Sequence, residues 1–473
     1  MEAGGPGSGS KKRKPTAPLE KGAGGDRAPP PGAGEDEGGE DDRISSLPDG
    51  VLGEIVSLLP TKDGARTQVL ASRWRHLWRS APLNLDVGTL PTENLDHDVI
   101  QRILSAHLGP VRRFSVSAEH ALSDATMEDW LRSPAFDNLQ ELEFCSWLPP
   151  PVVPPPASIF RFAATLRLAV IGTCHLSDDM VKGLHFPQLK HLALDEVIVS
   201  ECALHGLVAG CPALECLLLH LVSRFCCVRI NSLTLRSIGV LAHLGTVWLQ
   251  GGTPRFEELV IEKAPCLERL FHIDLYDGLQ GSVISAPKME TLCFLSNDNF
   301  SFDRIIQGLR ADSLATMVCT VKVLAFNMSI FSLHMVIELM RCFPCLEKLY
   351  IQNDSGNVMG TGPKNCWLRK HRNPNIKCLD AHLKTIVLES YRGIVSEVNF
   401  VSFFVRNARV LESITIQVKT IDKEFIAKQQ RLLQVKNKAS RGARFHYTTD
   451  RCLRDIGDIS NVRDLDLTDP FVR

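Results

Sequence analysis

Pro187-Gln188-Leu189-Lys190-His191-Leu192-Ala193-Leu194 sets apolar residues at 0, +3 and +5 of a frame that begins at Leu189, with proline two residues ahead. The frame returns at Val111/Phe114/Val116, Leu139/Leu142/Phe144, Leu214/Leu217/Leu219, Phe256/Leu259/Ile261 and Met289/Leu292/Phe294. It continues at Val321/Leu324/Phe326, Leu346/Leu349/Ile351, Leu383/Ile386/Leu388 and Leu411/Ile414/Ile416. In a chain that is 44% apolar, such spacing alone carries little weight. The prolines sharpen it. Pro187, Pro212, Pro254, Pro287 and Pro344 stand at −2, and Pro265 does the same before Leu267/Leu270/His272. From 27 prolines about two such coincidences are expected at random, so the excess marks a repeat.

Alternate side chains of a strand share a face, so +3 and +5 point together into a core while position 0 folds in from the preceding turn. The proline is expected to stop an incoming helix that supplies the opposite wall. Helical faces precede several frames: Val99, Ile100, Ile103, Leu104 and Leu108, then Leu204, Leu207 and Val208, then the stretch His334–Met340. The physics fits a leucine-rich solenoid. Its uneven spacing predicts an irregular one with larger loops, among them the proline-rich Pro149–Pro156, read as a stiff connector rather than a proline-helix ligand.

Outward from the repeats the composition changes. Residues 1–42 hold eleven of the 33 glycines and no aromatic residue, a composition that cannot offset chain entropy by burial. Lys11-Lys12-Arg13-Lys14 within it reads as a nuclear import signal or as a solvated charge cluster. No apolar segment follows that would make a secretory signal, and no membrane span is expected, since the longest apolar stretch, Cys202–Val228, is interrupted by Glu215 and Arg224. With 53 basic against 54 acidic residues, a globally basic nucleic-acid binder is excluded. Fifteen cysteines, an odd number, point to reduced thiols.

From Arg43 the text turns helical. Leu47-Pro48-Asp49-Gly50 opens a segment with Val51, Leu52, Ile55, Leu58 and Leu59 on one face, and Pro60 closes it. Thr61 can cap a second helix through Ala65, Val69 and Leu70. Arg73-Trp74-Arg75-His76-Leu77-Trp78 follows, with Trp74, Leu77 and Trp78 at helical spacing. This stretch, from Arg43-Ile44-Ser45-Ser46-Leu47-Pro48-Asp49 through Trp78, resembles the F-box. It departs from the plant versions at Gly64-Ala65 and Ala71-Ser72, and a glycine inside a helix costs about 1 kcal/mol relative to alanine.

From about Ile376 the chain resembles a second module, the FBD domain that ends many plant F-box proteins. The residues are His382–Leu388, Tyr391-Arg392-Gly393, Glu397–Val401, Phe404–Ala408 and Leu411–Ile416. A helix around Phe425–Val435 and a strand near Arg444–His446 are expected to complete a cap on the solenoid.

Nothing in the chain reads as catalytic. Cys342-Phe343-Pro344-Cys345 is a lone C-x-x-C without a second pair, placed where the repeat wants small apolar residues, so it reads as structural and no metal or other cofactor is expected. The histidines show no H-E-x-x-H, and no G-x-S-x-G or phosphate-binding glycine loop occurs. No aromatic ladder interleaves the basic stretch 423–444, which reads as a solvated helix face, so no nucleic-acid partner is expected.

The predicted fold is therefore α/β: a small three-helix F-box, an irregular leucine-rich-repeat solenoid, and an FBD-like α/β cap. The expected divisions are a disordered tail 1–42, F-box 43–88, repeats 89–375, FBD-like module 376–450 and a C-terminal tail 451–473. The F-box resemblance implies a non-catalytic subunit of an SCF-type ubiquitin ligase, docked on a Skp-type adaptor and through it on a cullin, in the nucleus or cytoplasm. On that reading Leu47, Pro48, Val51, Leu52, Ile55 and Trp74 form or support the adaptor-binding surface. A protein substrate would meet outward residues of the strands: His191, Asp195, Glu258, Glu262, Lys348, Tyr350 and Gln352. The alternatives are a repeat scaffold whose F-box no longer binds the adaptor, and a ligand-gated hormone receptor of the same architecture.

Overall fold

The structure is a computed structural model. It describes residues 44, 46–89, 97–116, 124–145, 152–242, 256, 258–274, 280–283, 285–296, 320–328, 331–352, 376–452, 461–467, 469 and 471. Lys11–Lys14 and Pro254 lie outside them. The chain divides into two units, Met1–Leu47 and Pro48–Arg473. In the first, the Leu47 N–H donates to the Ile44 carbonyl at 3.1 Å.

In the second unit three helices come first, Asp49–Ser57, Thr61–Arg66 and Ser72–Ser80. Prolines 48 and 60 precede the first two, where a missing N–H costs nothing. A sheet then begins directly at Leu83–Asp86. Among the described residues it has fourteen strands, all paired parallel and ordered as in the chain. They run Leu83–Asp86, Val111–Val116, Glu141–Cys145, Leu168–Gly172, His191–Asp195, Cys216–His220 and Ser237–Ala242. Then follow Arg269–Asp274, Thr291–Ser296, Val323–Asn327, Lys348–Gln352, Thr385–Tyr391, Ser413–Val418 and Arg444–Thr448.

Register explains why the frame works. Leu192 pairs with Leu217 and Leu194 with Leu219, so equivalent positions stack in rows along one face. Position 0 is buried in the frames of the long sheet, as at Leu139, Leu189, Leu214, Leu267 and Leu346, while Phe256 is only partly buried. The proline at −2 has a different job from the one its position suggested. Leu189, Leu214, Leu267, Met289 and Leu346 each donate their N–H to the carbonyl three residues back. Proline is thus the second residue of a β-turn, where its fixed φ fits, rather than a stop for a helix. The residue after position 0 forms a rim of alternating charge, with Lys190 to Glu215 at 2.7 Å and Lys384 to Glu347 at 3.0 Å. Such exposed pairs are worth about 0–1 kcal/mol each, so the rim tunes pairing but does not hold the sheet.

Three expectations need correction. The Phe256/Leu259/Ile261 frame does not enter the long sheet. Its strand, Glu258–Lys263, is the middle of a separate three-stranded parallel sheet with Cys227–Asn231 and Gln280–Val283. Leu108 lies beyond the end of the helix His97–Ala106 and is 83% exposed, while Ile100 and Leu104 are buried. Leu52 is fully buried and so belongs to the core of the helical segment rather than to its surface.

At the C-terminal end Thr385–Tyr391 pairs directly with Lys348–Gln352, placing Ile386 opposite Leu349, so these strands extend the same sheet. The helix Val395–Asn407 buries Phe400, Val401, Phe404 and Val405 against it. Gly393 takes φ +75°, and a Cβ there would stand 2.5 Å from Gln429. The buried Glu397 carboxylate accepts the N–H groups of Arg392 and Gly393 at 2.7 and 2.8 Å and closes the turn before that helix. No helix of the described residues is long and apolar enough to cross a membrane.

Candidate docking surfaces

Two surfaces carry the residues that the sequence singled out. The first is the helical segment. Leu52 and Val56 point inward, while Val51 and Ile55 on the same helix and Leu58 at its C-cap are 46%, 42% and 75% exposed. Leu59, Val69 and Leu70 continue the exposed apolar set. Among the described residues nothing covers this apolar set, and such patches mark interaction sites. Pro48 is exposed, and Leu47, in the first unit, is half-buried. Trp74 is half-buried and packs on the core.

What fixes this surface is its junction with the sheet. Thr61 Oγ1 donates to the Asn84 carbonyl at 2.8 Å, and Arg112 reaches Glu54 at 2.7 Å and Ser57 Oγ at 2.8 Å. The Trp78 ring meets His107 edge-on at 5.0 Å. Burial holds the His107 imidazole below its ordinary range, outweighing its hydrogen bond to the Ala81 carbonyl, so the ring stays neutral. Gly64 faces Trp78, which fills the space a larger residue would need.

The second surface is the other face of the long sheet. Parallel sheets are normally covered on both faces, and here that face carries its own apolar row: Leu168, Ala193, Leu218, Phe271, Ala325 and Val387 are buried. What covers part of it is the end of the chain. The 3-10 turn Val462–Asp466, with Asp469 and Phe471, lies against it, and Val462, Leu465 and Phe471 are fully buried there. Gly239 makes room, since a Cβ on it would stand 3.0 Å from Leu465.

Polar contacts tie the segment along its length. Arg463 pairs with Glu143 at 2.9 Å and with Glu141. Asp466 meets His191 at 3.2 Å, Arg269 at 3.6 Å and the Cys216 thiol at 3.6 Å. Asp469 accepts from Lys348 at 2.6 Å and from the Tyr350 hydroxyl at 2.7 Å. Burial pushes the Asp466 carboxyl up, but His191, the Cys216 thiol and Arg269 together hold it below its usual range. Glu143 behaves alike: burial raises it, and Arg113, Arg463 and Ser115 more than offset that. The donor atoms of His191, Cys216 and Asp466 lie within 4.8 Å of one another. Burial, and then Asp466, push the Cys216 thiol up to about 12, so at neutral pH this trio is a hydrogen-bonded cluster and not a thiolate site.

The predicted substrate residues therefore separate. His191, Lys348 and Tyr350 share this face and all contact the chain's own end. Asp195 bonds instead to His220 on the next strand, and Gln352 donates to Glu389 at 3.1 Å. Glu258 and Glu262 sit on the separate small sheet. Arg113, Glu141, Glu143 and Arg269 were missed, although they occupy the +2 and +4 positions of their frames and the same rule finds them.

Comparison with known proteins follows these landmarks. A family model described as "FBD-associated F-box protein At5g56370, LRR repeats" matches residues 127–351, which takes in the strands from Glu141–Cys145 to Lys348–Gln352. A second, described as "FBD", matches residues 373–416. F-box/FBD/LRR-repeat protein At1g13570 of Arabidopsis thaliana is 29% identical over 258 residues, 51% of this chain and 57% of its own length. The putative F-box/FBD/LRR-repeat protein At5g44950 of the same plant is 30% identical over 181 residues, 37% of this chain and 41% of its own. The chain spans about half the length of these curated relatives. Its repeat frames, its Gly393–Glu397 module and these matches agree: the chain belongs to the plant F-box/leucine-rich-repeat/FBD protein family.

Proposed function

We propose that this protein is the substrate-recognition subunit of an SCF-type ubiquitin ligase. Its helices Asp49–Ser57, Thr61–Arg66 and Ser72–Ser80 act as a three-helix F-box that docks on a Skp-type adaptor and through it on a cullin. The long sheet and its helices act as an irregular leucine-rich-repeat solenoid that holds the protein substrate, and the module from about residue 376 caps it. Catalysis then resides in other subunits, and this chain accelerates transfer by positioning. Nucleus or cytoplasm, where such ligases act, is the proposed location.

The observation that carries the reading is the exposed set Val51, Ile55 and Leu58 beside inward Leu52 and Val56. A helix pinned to the sheet on one side and apolar on the other fits a surface built to be covered. Co-purification with a Skp-type adaptor tests it. Val51→Asp with Ile55→Asp should abolish capture while circular dichroism stays unchanged, because both side chains are exposed. Capture at wild-type yield by that variant contradicts the docking surface.

A further inference from the structure

The inner face of the sheet is expected to receive a substrate, yet the chain's own end already lies on it. The fit is specific in chemistry. Two aspartates three residues apart, Asp466 and Asp469, meet two sets of donors: His191 with Arg269, and Lys348 with the Tyr350 hydroxyl. Arg463, three residues before the first aspartate, meets the acidic pair Glu141 and Glu143. Leu465 fills the gap left by Gly239, and Phe471 stacks between Phe271 at 5.8 Å and Tyr350 at 5.5 Å. The segment is thus read residue by residue, as a ligand is, and it is held mainly by side chains. Its described residues join none of the strand ladders, so their departure would break no backbone pairing of the sheet.

We propose that this face is a docking groove for an extended protein segment with the pattern basic, apolar, acidic, acidic, aromatic, and that residues 462–471 are an internal surrogate which such a segment displaces. The partner chemistry is read from the occupant: a cation to meet Glu141 and Glu143, two carboxylates to meet Arg269 and Lys348, and an aromatic ring between Phe271 and Tyr350. A tethered occupant competes at high effective concentration, so it sets a threshold that weak or incomplete matches do not pass. The role as substrate groove rests on the adaptor reading above; the groove and its occupant stand on the contacts alone.

The test uses the full chain and a fluorescein-labelled synthetic peptide of residues 461–471. Two variants release the internal segment: Leu465→Asp with Phe471→Asp, and the near-isosteric Asp466→Asn with Asp469→Asn. Either release variant should capture the peptide at least about tenfold more tightly than the wild type. Adding Lys348→Glu to the Asn variant should remove the gain. Should the first variant fail to fold, the Asn pair still decides. If hydrogen exchange shows the segment loosened and the peptide still binds no better than to wild type, the segment is a permanent plug and the proposal falls. Adaptor capture by the same proteins reports separately on the F-box reading. Its loss with peptide capture intact would overturn that reading and leave the groove standing.

Discussion

Gly64 lies against the Trp78 indole: a Cβ at Gly64 would stand 3.2 Å from the indole Nε1 and 3.4 Å from the Val56 carbonyl. The glycine that departs from the F-box pattern is therefore matched by packing inside the helical segment. Gly64→Leu should push Trp78 off its site and destabilise the segment by about 1–3 kcal/mol. Hydrogen exchange over Ser72–Ser80 checks this, and unchanged protection there would mean that the indole has another resting place.

Gly393 and Glu397 make the corresponding argument at the other end. With φ +75° and Gln429 at 2.5 Å, Gly393→Ala combines backbone strain with a clash. It is expected to cost about 1–3 kcal/mol. Glu397→Ala should cost a similar amount, about 1–3 kcal/mol, by leaving the Arg392 and Gly393 N–H groups without their acceptor. Chemical denaturation followed through Val395–Asn407 exchange would show both; a neutral Gly393→Ala would remove the strain argument.

Acid should detach residues 462–471. Asp466, facing His191, Cys216 and Arg269, and Glu143, facing Arg113, Ser115 and Arg463, are both held below their ordinary values. A lowered carboxyl adds stability that is whole above its unfolded value and is lost as pH falls through the folded one. The contact with the sheet should thus persist at neutral pH and fail below about pH 4, the ordinary carboxylate range. Pepsin cleavage near Leu465, compared between wild type and Asp466→Asn, reads this out. Cleavage that begins at the same pH in both proteins would show that Asp466 contributes nothing.

Cysteine reactivity should divide by burial. Among the described residues the cysteines form no disulfide; Cys202 and Cys226 are exposed, whereas burial pushes Cys174, Cys211 and Cys378 up to about 12. Native alkylation near neutral pH should therefore label Cys202 and Cys226 first. Cys216, beneath Asp466, should become reactive only when residues 462–471 are released. Early labelling of Cys216 in the intact chain would contradict the burial described for it.

Much of the strand placement was legible because one spacing reports one geometry: position 0 closes a turn, and +3 and +5 enter the core. Besides the short first strand Leu83–Asp86, two strands of the long sheet were passed over, Leu168–Gly172 and Ser237–Ala242. Both keep the spacing, as Leu166/Ala169/Ile171 and Leu235/Ile238/Val240, but neither has a proline at −2, and Ala169 is small. The Phe256 frame misled for the opposite reason. Spacing reports a strand but not the layer it joins, and that layer depends on where the preceding connection lands. The coverage of the inner face was the least legible part. Val462, Leu465 and Phe471 are too few to show a period, and their charged neighbours read as a solvated tail. Only their partners on distant strands, such as Glu143 and Tyr350, give them meaning.

Because strand order follows chain order, each new strand can pair with one already made, and the sheet can grow as the polypeptide leaves the ribosome. The closing segment obeys a different clock. Arg463 meets Glu143 across 320 residues, and Asp469 meets Lys348 across 121. Neither contact can form until residues 463–469 have been made. Until then the part of the inner face that they cover stands open, and the nascent chain passes through a stage in which that apolar row is accessible to chaperones and to partners alike. Residues 462–471 then act as a late mark: a chain cut short before them keeps its sheet and loses its threshold.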